Sequence, residues 1–192
     1  MIFLSYNLWF FIELILMLAI FVPTMIAFLT GAPWVPTPQS RVDKMLELAC
    51  LKPGDRVYDL GCGDGRIVHT AAKRYGADAV GLELSPIVYW WARTRNFFLR
   101  STSRVLMRDF RRIDYSNAKA LCFYLLPAIL KTMRPKFEAE LKPGTRVVSY
   151  AFQIEGWEPI YTEPRNRATH CGPIFVYQLP KSIKPNGSEA KK

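Results

Sequence analysis

Three glycines and a glutamate are the residues of this chain best suited to binding a nucleotide-like ligand. Gly61, Gly63 and Gly65 alternate within Asp-Leu-Gly-Cys-Gly-Asp-Gly, residues 59–65, between a strand-like and a helix-like run. A glycine-rich turn at that place lets a ligand approach the backbone closely. Glu83 ends the next apolar run, 20 residues beyond Gly63, where an acidic side chain commonly binds ribose hydroxyls. Together these features predict a cofactor that contains a ribose.

The spacing and charge of this loop favour S-adenosylmethionine over a dinucleotide. In the dinucleotide fingerprint the third glycine comes one residue later, at the position that Arg66 fills here. Asp64 would place a carboxylate at the helix N-terminus where a pyrophosphate should bind, and the two anions would repel each other. S-adenosylmethionine keeps the adenosine but carries a cationic methionine instead of phosphates, so nearby carboxylates are favourable. The alternative is a glycine turn that serves only strand–helix packing.

The composition describes a basic chain with one globular region. The chain has 192 residues and a formal net charge of +10, and residues 41–180 are enough to bury a sizeable core. Its histidines are far apart and its cysteines are scattered without a C-x-x-C pair, at Cys50, Cys62, Cys122 and Cys171. This pattern predicts reduced thiols rather than a zinc site or a disulfide framework, and no metal cofactor is expected.

The N-terminal region predicts a membrane anchor. Leu8 to Leu29 is a run of 22 residues with one charge, Glu13. As a helix it would be roughly 33 Å long, which is enough to cross a bilayer core. A cleaved signal peptide is the alternative, but no Lys or Arg precedes Arg41. Because Arg41 and Lys44 follow the span, we expect the domain on the cytoplasmic side of a bacterial inner membrane, or at the mitochondrial inner membrane in a eukaryote.

We expect four segments along the chain. They are a transmembrane anchor at 1–32, a proline-rich linker at 33–40, a globular domain at 41–180 and a disordered tail at 181–192. Within the domain, strand-like runs alternate with helical ones, which indicates a doubly wound α/β sheet. Ligands of such sheets bind beyond the carboxyl ends of the strands.

Predicted strand ends coincide with the candidate ligand-binding residues. The predicted strands cover 56–60, 79–83, 105–107, 121–126, 146–152 and 174–179, and the last is paired with 157–161. The glycine-rich loop, Glu83, Asp109 and Tyr124 all lie at such ends. The helix that begins at Pro86 has an apolar face, expected to pack on the core, formed by Ile87, Trp91, Thr94 and Phe98.

The segment 93–112 is strongly basic. It holds seven arginines and one acid, Asp109, with Trp90, Trp91, Phe97 and Phe98 interleaved or adjacent. Three interpretations remain open: a helix whose basic face is solvated, a contact with anionic lipid head groups, and a nucleic-acid surface.

Short motifs of this chain resemble the class I (seven-β-strand) S-adenosylmethionine-dependent methyltransferases. More narrowly, they resemble the membrane-anchored lysine methyltransferases related to the ATP synthase c-subunit enzyme and its bacterial relatives. The resemblance implies a Rossmann-like seven-strand sheet and, before it, the hydrophobic segment typical of that group. The motifs are Pro36-Thr-Pro38, the loop and Arg66, Glu83-Leu-Ser-Pro86, Tyr124-Leu-Leu-Pro127 and Leu141-Lys-Pro-Gly-Thr-Arg-Val147.

By position, the resemblance also implies a role for each site residue. Asp59 would lie near the amino group of the methionine, Glu83 would bind both ribose hydroxyls, Asp109 would accept from the adenine amino group beside Phe110, and Thr37 would close over the cofactor. The full cofactor set is Thr37, Asp59, Gly61, Cys62, Gly63, Gly65, Glu83, Leu84, Asp109 and Phe110. Tyr124 is the candidate on the acceptor side, where strand four lacks the acid often found there.

The resulting hypothesis is an enzyme that methylates a lysine of a membrane-associated protein. Tyr124 would guide the amino group through its hydroxyl or its ring face, or it serves only packing. A lipid or small apolar acceptor is the alternative, and a cofactor-binding adaptor without turnover is a third possibility. A nucleic-acid acceptor is disfavoured, since Tyr124-Leu-Leu-Pro127 is not the Asn-Pro-Pro-Tyr type of motif used for amino groups on planar bases. The oligomeric state stays open.

Overall fold

Seven strands form a single sheet. In a computed structural model, which describes residues 2–29, 35–166, 169–180 and 182–183, they are β1 Arg56–Leu60, β2 Asp78–Glu83, β3 Arg104–Met107, β4 Ala120–Phe123, β5 Arg146–Tyr150, β6 Tyr161–Glu163 and β7 Ile174–Gln178. Their order is β3-β2-β1-β4-β5-β7-β6. The first five are parallel, and β7 runs antiparallel to both β5 and β6. The strand order reverses direction between β1 and β4, which is where such a sheet binds its ligand.

Helices cover both faces of this sheet, as the doubly wound prediction requires. They are α2 Gln39–Ala49, α3 Arg66–Tyr75, α4 Pro86–Phe98 and α5 Pro127–Glu140, with a short 3-10 turn at Phe110–Arg112. The first helix, α1 Ile2–Leu29, precedes them, and none of its described side chains belongs to the buried clusters. Side chains of β1 alternate between two buried clusters, because successive residues of a strand point to opposite faces. Val57 packs with residues of α2, α3 and α4, whereas Tyr58 and Leu60 pack with residues of α5.

The N-terminal helix α1 is 28 residues long and includes the whole predicted apolar run. Its side chains from Leu8 to Val22 are exposed, apart from the half-buried Leu14. Among the residues that the structure describes, no helix reaches the combination of length and hydropathy required of a membrane-crossing segment. Residues 30–34, which include the predicted boundary between anchor and linker, lie outside the described residues.

Helix α4 buries the face opposite to the one predicted. Tyr89, Ala92 and Asn96 are its buried residues, whereas Trp91 is 59% exposed and Phe98 is 76% exposed. The prediction that the stripe through these two aromatic residues packs on the core is therefore wrong. Sequence periodicity located the apolar stripe, but only the packing against β2 and β3 shows which stripe is buried.

The C-terminal part of the sheet differs from the prediction in its details. The partner of β7 is Tyr161–Glu163 rather than the preceding run, while Trp157 forms an isolated bridge with Ile183. Ser182 is fully buried, and its hydroxyl accepts a hydrogen bond from the Gln178 N–H. The packed domain therefore extends at least to Ile183, and the remainder of the predicted tail, 184–192, lies outside the described residues.

The predicted linker is partly built into the domain. Thr37 is buried, and Pro38 accepts hydrogen bonds at its carbonyl from the N–H groups of Arg41 and Val42, which begins α2. Arg41 is also buried, and its guanidinium donates to the Pro164 carbonyl. Residues 35–38 are thus held against the sheet, directly beside the glycine-rich loop.

Candidate functional site

A cleft opens at the carboxyl ends of β1, β2 and β4. Counted with its solvent-open mouth, it encloses about 480 Å³, which lies within the ~300–1,000 Å³ typical of small-molecule sites. Its lining residues come from the segment before α2, the glycine-rich loop, β2 and β4: Val35, Pro36, Thr37, Asp59, Gly61, Cys62, Gly63, Asp64, Arg66, Ile67, Glu83 and Tyr124. Seven of the eleven residues predicted for the site therefore come together here.

The glycine-rich loop is fastened to the end of β2. The N–H groups of Gly61 and Cys62 both donate to the Leu82 carbonyl, at 2.9 and 3.0 Å. Gly65 ends the loop with φ +75°, a left-handed conformation in which a side chain would be strained. Its N–H donates to the Cys62 carbonyl and its own carbonyl accepts from His69. Helix α3 therefore begins in a fixed position relative to the cleft.

Cys62 contributes to the site through its position rather than through thiol chemistry. A Cβ atom at Gly81 would lie only 2.7 Å from the Cys62 sulfur, so the glycine at 81 is what makes room for this side chain. Burial raises the pKa of the Cys62 thiol well above its ordinary value, and the nearby carboxylates Asp59 and Glu83 raise it further. The thiol thus stays protonated and packs the loop onto β2.

Glu83 connects the loop to the start of α4. One carboxylate oxygen accepts a 3.0 Å hydrogen bond from the Gly63 N–H, and the other accepts a 2.9 Å bond from the Ser85 N–H. Burial raises the pKa of Glu83, although these backbone donors oppose the shift. Each oxygen has a further lone pair. The carboxylate is therefore oriented and still able to accept from two neighbouring hydroxyl groups.

Asp59 is a buried carboxyl group on the floor of the cleft. Its exposure is 2%, and no hydrogen bond or ion pair to it occurs within the described part of the chain. Burial raises the pKa of Asp59 well above its usual range, and the charges of Glu83 and Asp64 add to the effect. A carboxyl group in this position gains most from a ligand that brings a positive charge or a hydrogen-bond donor.

Asp64 lines the cleft, but its charge is bound by the protein. The sequence predicts a carboxylate that a cationic cofactor tolerates or favours, whereas in the structure the Arg66 guanidinium binds both of its oxygens, at 2.8 and 2.9 Å. Burial alone would raise the pKa of Asp64, but the bonds and charge of Arg66, helped by Arg95, hold it below its ordinary value. The charge of Asp64 is therefore largely neutralised by the protein itself.

Arg66 also closes the cleft on the side of the N-terminal segment. Its second terminal nitrogen donates a 2.7 Å hydrogen bond to the Thr37 carbonyl. Residues 35–37 are thereby held beside the loop, and the closing role of Thr37 over the cofactor stays a prediction. In the sequence, Arg66 stands out only because it occupies the position of the third fingerprint glycine. An arginine two residues after an aspartate is the sequence signal for this ion pair.

The residues predicted to bind the adenine lie apart from this cleft. Asp109 accepts hydrogen bonds from the N–H and the side chain of Arg111, at 2.9 and 3.0 Å. Burial raises the pKa of Asp109, but the Arg111 bonds and charge outweigh it, so the pKa lies below its ordinary value. Phe110 is buried, and Leu84 is exposed beside Glu83. The adenine assignment for Asp109 and Phe110 stays a prediction, as does cofactor binding by Leu84.

An aromatic cluster surrounds Tyr124, which lines the cleft. The ring of Tyr124, at the end of β4, meets the edge of Tyr150 with centroids 4.8 Å apart and stacks on Phe152 at 6.0 Å. The Tyr150 hydroxyl accepts from the Gly172 N–H at 2.9 Å, which fixes that ring. Sequence reasoning missed Tyr150 and Phe152, although Tyr150 ends β5 and Phe152 follows it at the ligand-binding edge of the sheet.

The charges of the cleft fit S-adenosylmethionine better than a dinucleotide. Among the described residues that line it, the only cation is Arg66, which is already bound to Asp64 and Thr37, so no free cation there meets a phosphate. The carboxyl groups of Asp59 and Glu83 instead suit an ammonium group and two ribose hydroxyls. When bound, the cofactor would supply an electrophilic methyl group, while the protein holds its methionine and ribose parts and orients the acceptor.

The fold and this site define a class I S-adenosylmethionine-dependent methyltransferase, and comparison with known proteins agrees. Residues 59–161 match the family described as the ANTKMT methyltransferase domain, and the chain belongs to that family. It is 41% identical over 136 residues to a protein-lysine N-methyltransferase of Saccharolobus islandicus strain REY15A, covering 69% of this chain and 84% of that protein.

Two further relatives are named for different methyl acceptors. The chain is 30% identical over 132 residues to the ATP synthase c-subunit lysine N-methyltransferase of Mus musculus, covering 68% of this chain but only 53% of the mouse protein. A solved structure of an RNA methyltransferase from Salinibacter ruber, in complex with S-adenosyl-L-homocysteine, is 36% identical with a TM-score of 0.73. It covers 80% of this chain and 98% of that one.

Proposed function

We propose that this methyltransferase transfers the methyl group of S-adenosylmethionine to a lysine side chain of a protein. The observation that carries the proposal is Tyr124, which lines the cleft and packs on the rings of Tyr150 and Phe152. Aromatic faces attract a lysine ammonium, and a partly desolvated amine loses its proton more readily. The names of the Saccharolobus and mouse relatives support the same acceptor.

Methyl transfer requires mainly that the protein align the lysine nitrogen with the methyl group. When bound, S-adenosylmethionine would supply a methyl carbon to the neutral lysine nitrogen, and the carbon–sulfur bond would break as the carbon–nitrogen bond forms, with S-adenosylhomocysteine as the leaving group. Alignment of the two reactants can supply on the order of 7–11 kcal/mol. Asp59 and Glu83 fix the donor, and the aromatic rings direct the acceptor toward it. The lysine must lose its proton before attack, from a reference pKa of about 10.4.

We further propose that the acceptor protein is associated with a membrane and that the domain acts on its cytoplasmic side. Support comes from α1, whose described side chains between Leu8 and Val22 are largely apolar and exposed, and an apolar surface of that extent calls for a partner. Lys44, which follows α1 in sequence, is basic as expected for a cytoplasmic flank.

Cell fractions and a labelled cofactor test the acceptor class. Purified full-length protein is incubated with labelled S-adenosylmethionine and, separately, with membranes, extracted lipid, soluble protein and total RNA. We expect the label in protein, chiefly of the membrane fraction. Label in RNA alone would favour the acceptor named for the Salinibacter structure, label in lipid alone would favour the apolar-acceptor alternative, and either would overturn the proposal.

A further inference from the structure

The outer face of α4 is aromatic where a solvent-facing helix is normally polar. Trp91 and Phe98 lie on the stripe opposite the buried Tyr89 and Ala92, as the helical repeat requires. Trp90 and Phe97 flank that stripe, and Phe97 is 79% exposed. These four rings present on the order of 500 Å² of mostly apolar surface, which is as large as the greatest patch of a typical soluble monomer.

The charged residues in the segment that carries this aromatic surface are all basic. No acidic residue occurs between Glu83 and Asp109, while five arginines do: Arg93, Arg95, Arg100, Arg104 and Arg108. Arg95 and Arg104 pair with Asp64 and Asp78. Within the described residues, Arg93, Arg100 and Arg108 have no carboxylate partner, so their charges remain available to an anionic ligand.

The neighbouring edge of the sheet continues the same surface. Strand β3 is the last strand on its side of the sheet, and Leu106 and Met107 on it are exposed, at 39% and 51%. The connection from β3 to β4 contains only the 3-10 turn at Phe110–Arg112 and no further helix. Helix α4 and this edge therefore stay uncovered in the described part of the chain.

We propose that α4 and the edge of β3 dock on the surface of an anionic lipid bilayer. An interfacial helix buries aromatic and aliphatic side chains at the boundary between head groups and acyl chains, while flanking arginines reach the head groups. The rings of α4 would enter that boundary, and Arg93 and Arg100 would contact the phosphates. This inference does not depend on the identity of the methyl acceptor.

The composition of the face favours lipid over nucleic acid. A nucleic-acid surface draws most of its affinity from basic groups spread over the contact. Here the outer stripe of α4 contains Ile87, Trp91 and Phe98, and the helix carries only two arginines: Arg93, bound to the Tyr89 hydroxyl, and Arg95, paired with Asp64. Because α4 begins at Pro86, shortly after Glu83 of the cleft, docking would also keep the cofactor site close to the membrane surface.

Tryptophan quenching by brominated lipid tests the docking on the full-length chain. The protein is reconstituted into vesicles of phosphatidylcholine alone, or of phosphatidylcholine with phosphatidylglycerol, each containing a brominated lipid. The emission of Trp90 and Trp91 is obtained as the difference between the native chain and Trp90→Phe/Trp91→Phe. This readout is local to α4, so it is unaffected by any attachment through α1. We expect strong quenching in the anionic vesicles and little in the zwitterionic ones.

Charge reversal supplies the control. The double variant Arg93→Glu/Arg100→Glu should lose most of the quenching in anionic vesicles. Lys142 lies just before β5, away from α4, and the variant Lys142→Glu should retain the quenching. Ile160→Gln, next to the opposite sheet edge, is the matched apolar control and should also retain it. Unchanged cofactor affinity would show that each variant is folded. Absence of quenching in both lipids, or equal quenching after charge reversal, would overturn the proposal, as would a response of Trp90 and Trp91 to single-stranded RNA but not to lipid.

Discussion

The side chain of Arg66 connects Asp64 to the backbone of Thr37. One part of the guanidinium binds the carboxylate at 2.8 and 2.9 Å, and the other donates to the Thr37 carbonyl at 2.7 Å. The loop that faces the cofactor and the segment that covers it are therefore held by one charged group.

Replacing Arg66 by alanine should weaken cofactor binding. The variant loses the bond to Thr37 and leaves the Asp64 carboxylate with only Arg95 nearby, and a hydrogen bond to a charged group contributes about 1.5–3 kcal/mol. We expect the Kd for S-adenosylmethionine to rise by about tenfold or more, as measured by calorimetry. Arg74→Ala on the same helix removes only an exposed ion pair with Asp43 and should leave the Kd unchanged. Equal effects of the two substitutions would contradict the closing role.

Glu83→Ala should weaken binding of the cofactor more strongly. It removes the acceptor for the ribose hydroxyls and the two backbone bonds to Gly63 and Ser85 that order the loop. We expect a rise in Kd of about a hundredfold, with the fold retained in circular dichroism. Glu47→Ala, at an exposed glutamate of α2, is the control. An unchanged affinity in the Glu83 variant would argue against the ribose assignment.

Cofactor binding should strengthen as the pH rises through the pKa of Asp59 in the free protein. Burial, Glu83 and Asp64 raise this pKa, so the free carboxyl group holds its proton to an unusually high pH, whereas the ammonium group of the cofactor favours the ionised form. Binding should therefore release a proton, which calorimetry in buffers of different ionisation enthalpy detects. Asp59→Asn should bind weakly and with little pH dependence. A native affinity that falls with rising pH would contradict this assignment.

Asp59 should also make the stability of the cofactor-free protein depend on pH. Stability should fall as the pH rises, whereas cofactor binding should strengthen. An acid whose pKa is raised by folding costs nothing below its unfolded pKa and destabilises the fold as the pH rises toward its folded pKa. Asp59→Asn should therefore increase the free energy of unfolding, and the increase should grow with pH. Urea unfolding at several pH values measures it, and a stabilisation that shrinks as the pH rises would contradict the buried, unpaired state of Asp59.

Substitutions at Tyr124 separate its ring from its hydroxyl. The structure places the ring against Tyr150 and Phe152, so we expect the ring face rather than the hydroxyl to guide the amine. Tyr124→Phe should keep most of the activity, whereas Tyr124→Ala should raise the KM for the acceptor without changing the Kd for the cofactor. If Tyr124→Phe loses activity as strongly as Tyr124→Ala, the hydroxyl is the functional group.

Strand ends were predictable from the sequence, whereas side-chain partners were not. Glu83 and Tyr124 could be placed at the ligand-binding edge because short apolar runs followed by glycine or proline mark parallel strands. The pairing of Asp64 with Arg66 could not be placed, because local spacing does not reveal whether a charge faces a ligand or a neighbour. Helix α4 shows the same limit of local sequence. Both of its faces, the one through Tyr89 and the one through Trp91, carry aromatic residues, so the sequence does not reveal which face packs on the core.

Identification of the methylated residue tests the central claim most directly. The membrane fraction is incubated with the purified protein and labelled S-adenosylmethionine, and the labelled protein is digested and sequenced by mass spectrometry, with Glu83→Ala as the inactive control. The proposed function predicts added methyl groups on lysine nitrogen, present with the native chain and absent with the variant. Label found on another amino acid, or equal labelling by both proteins, would contradict it.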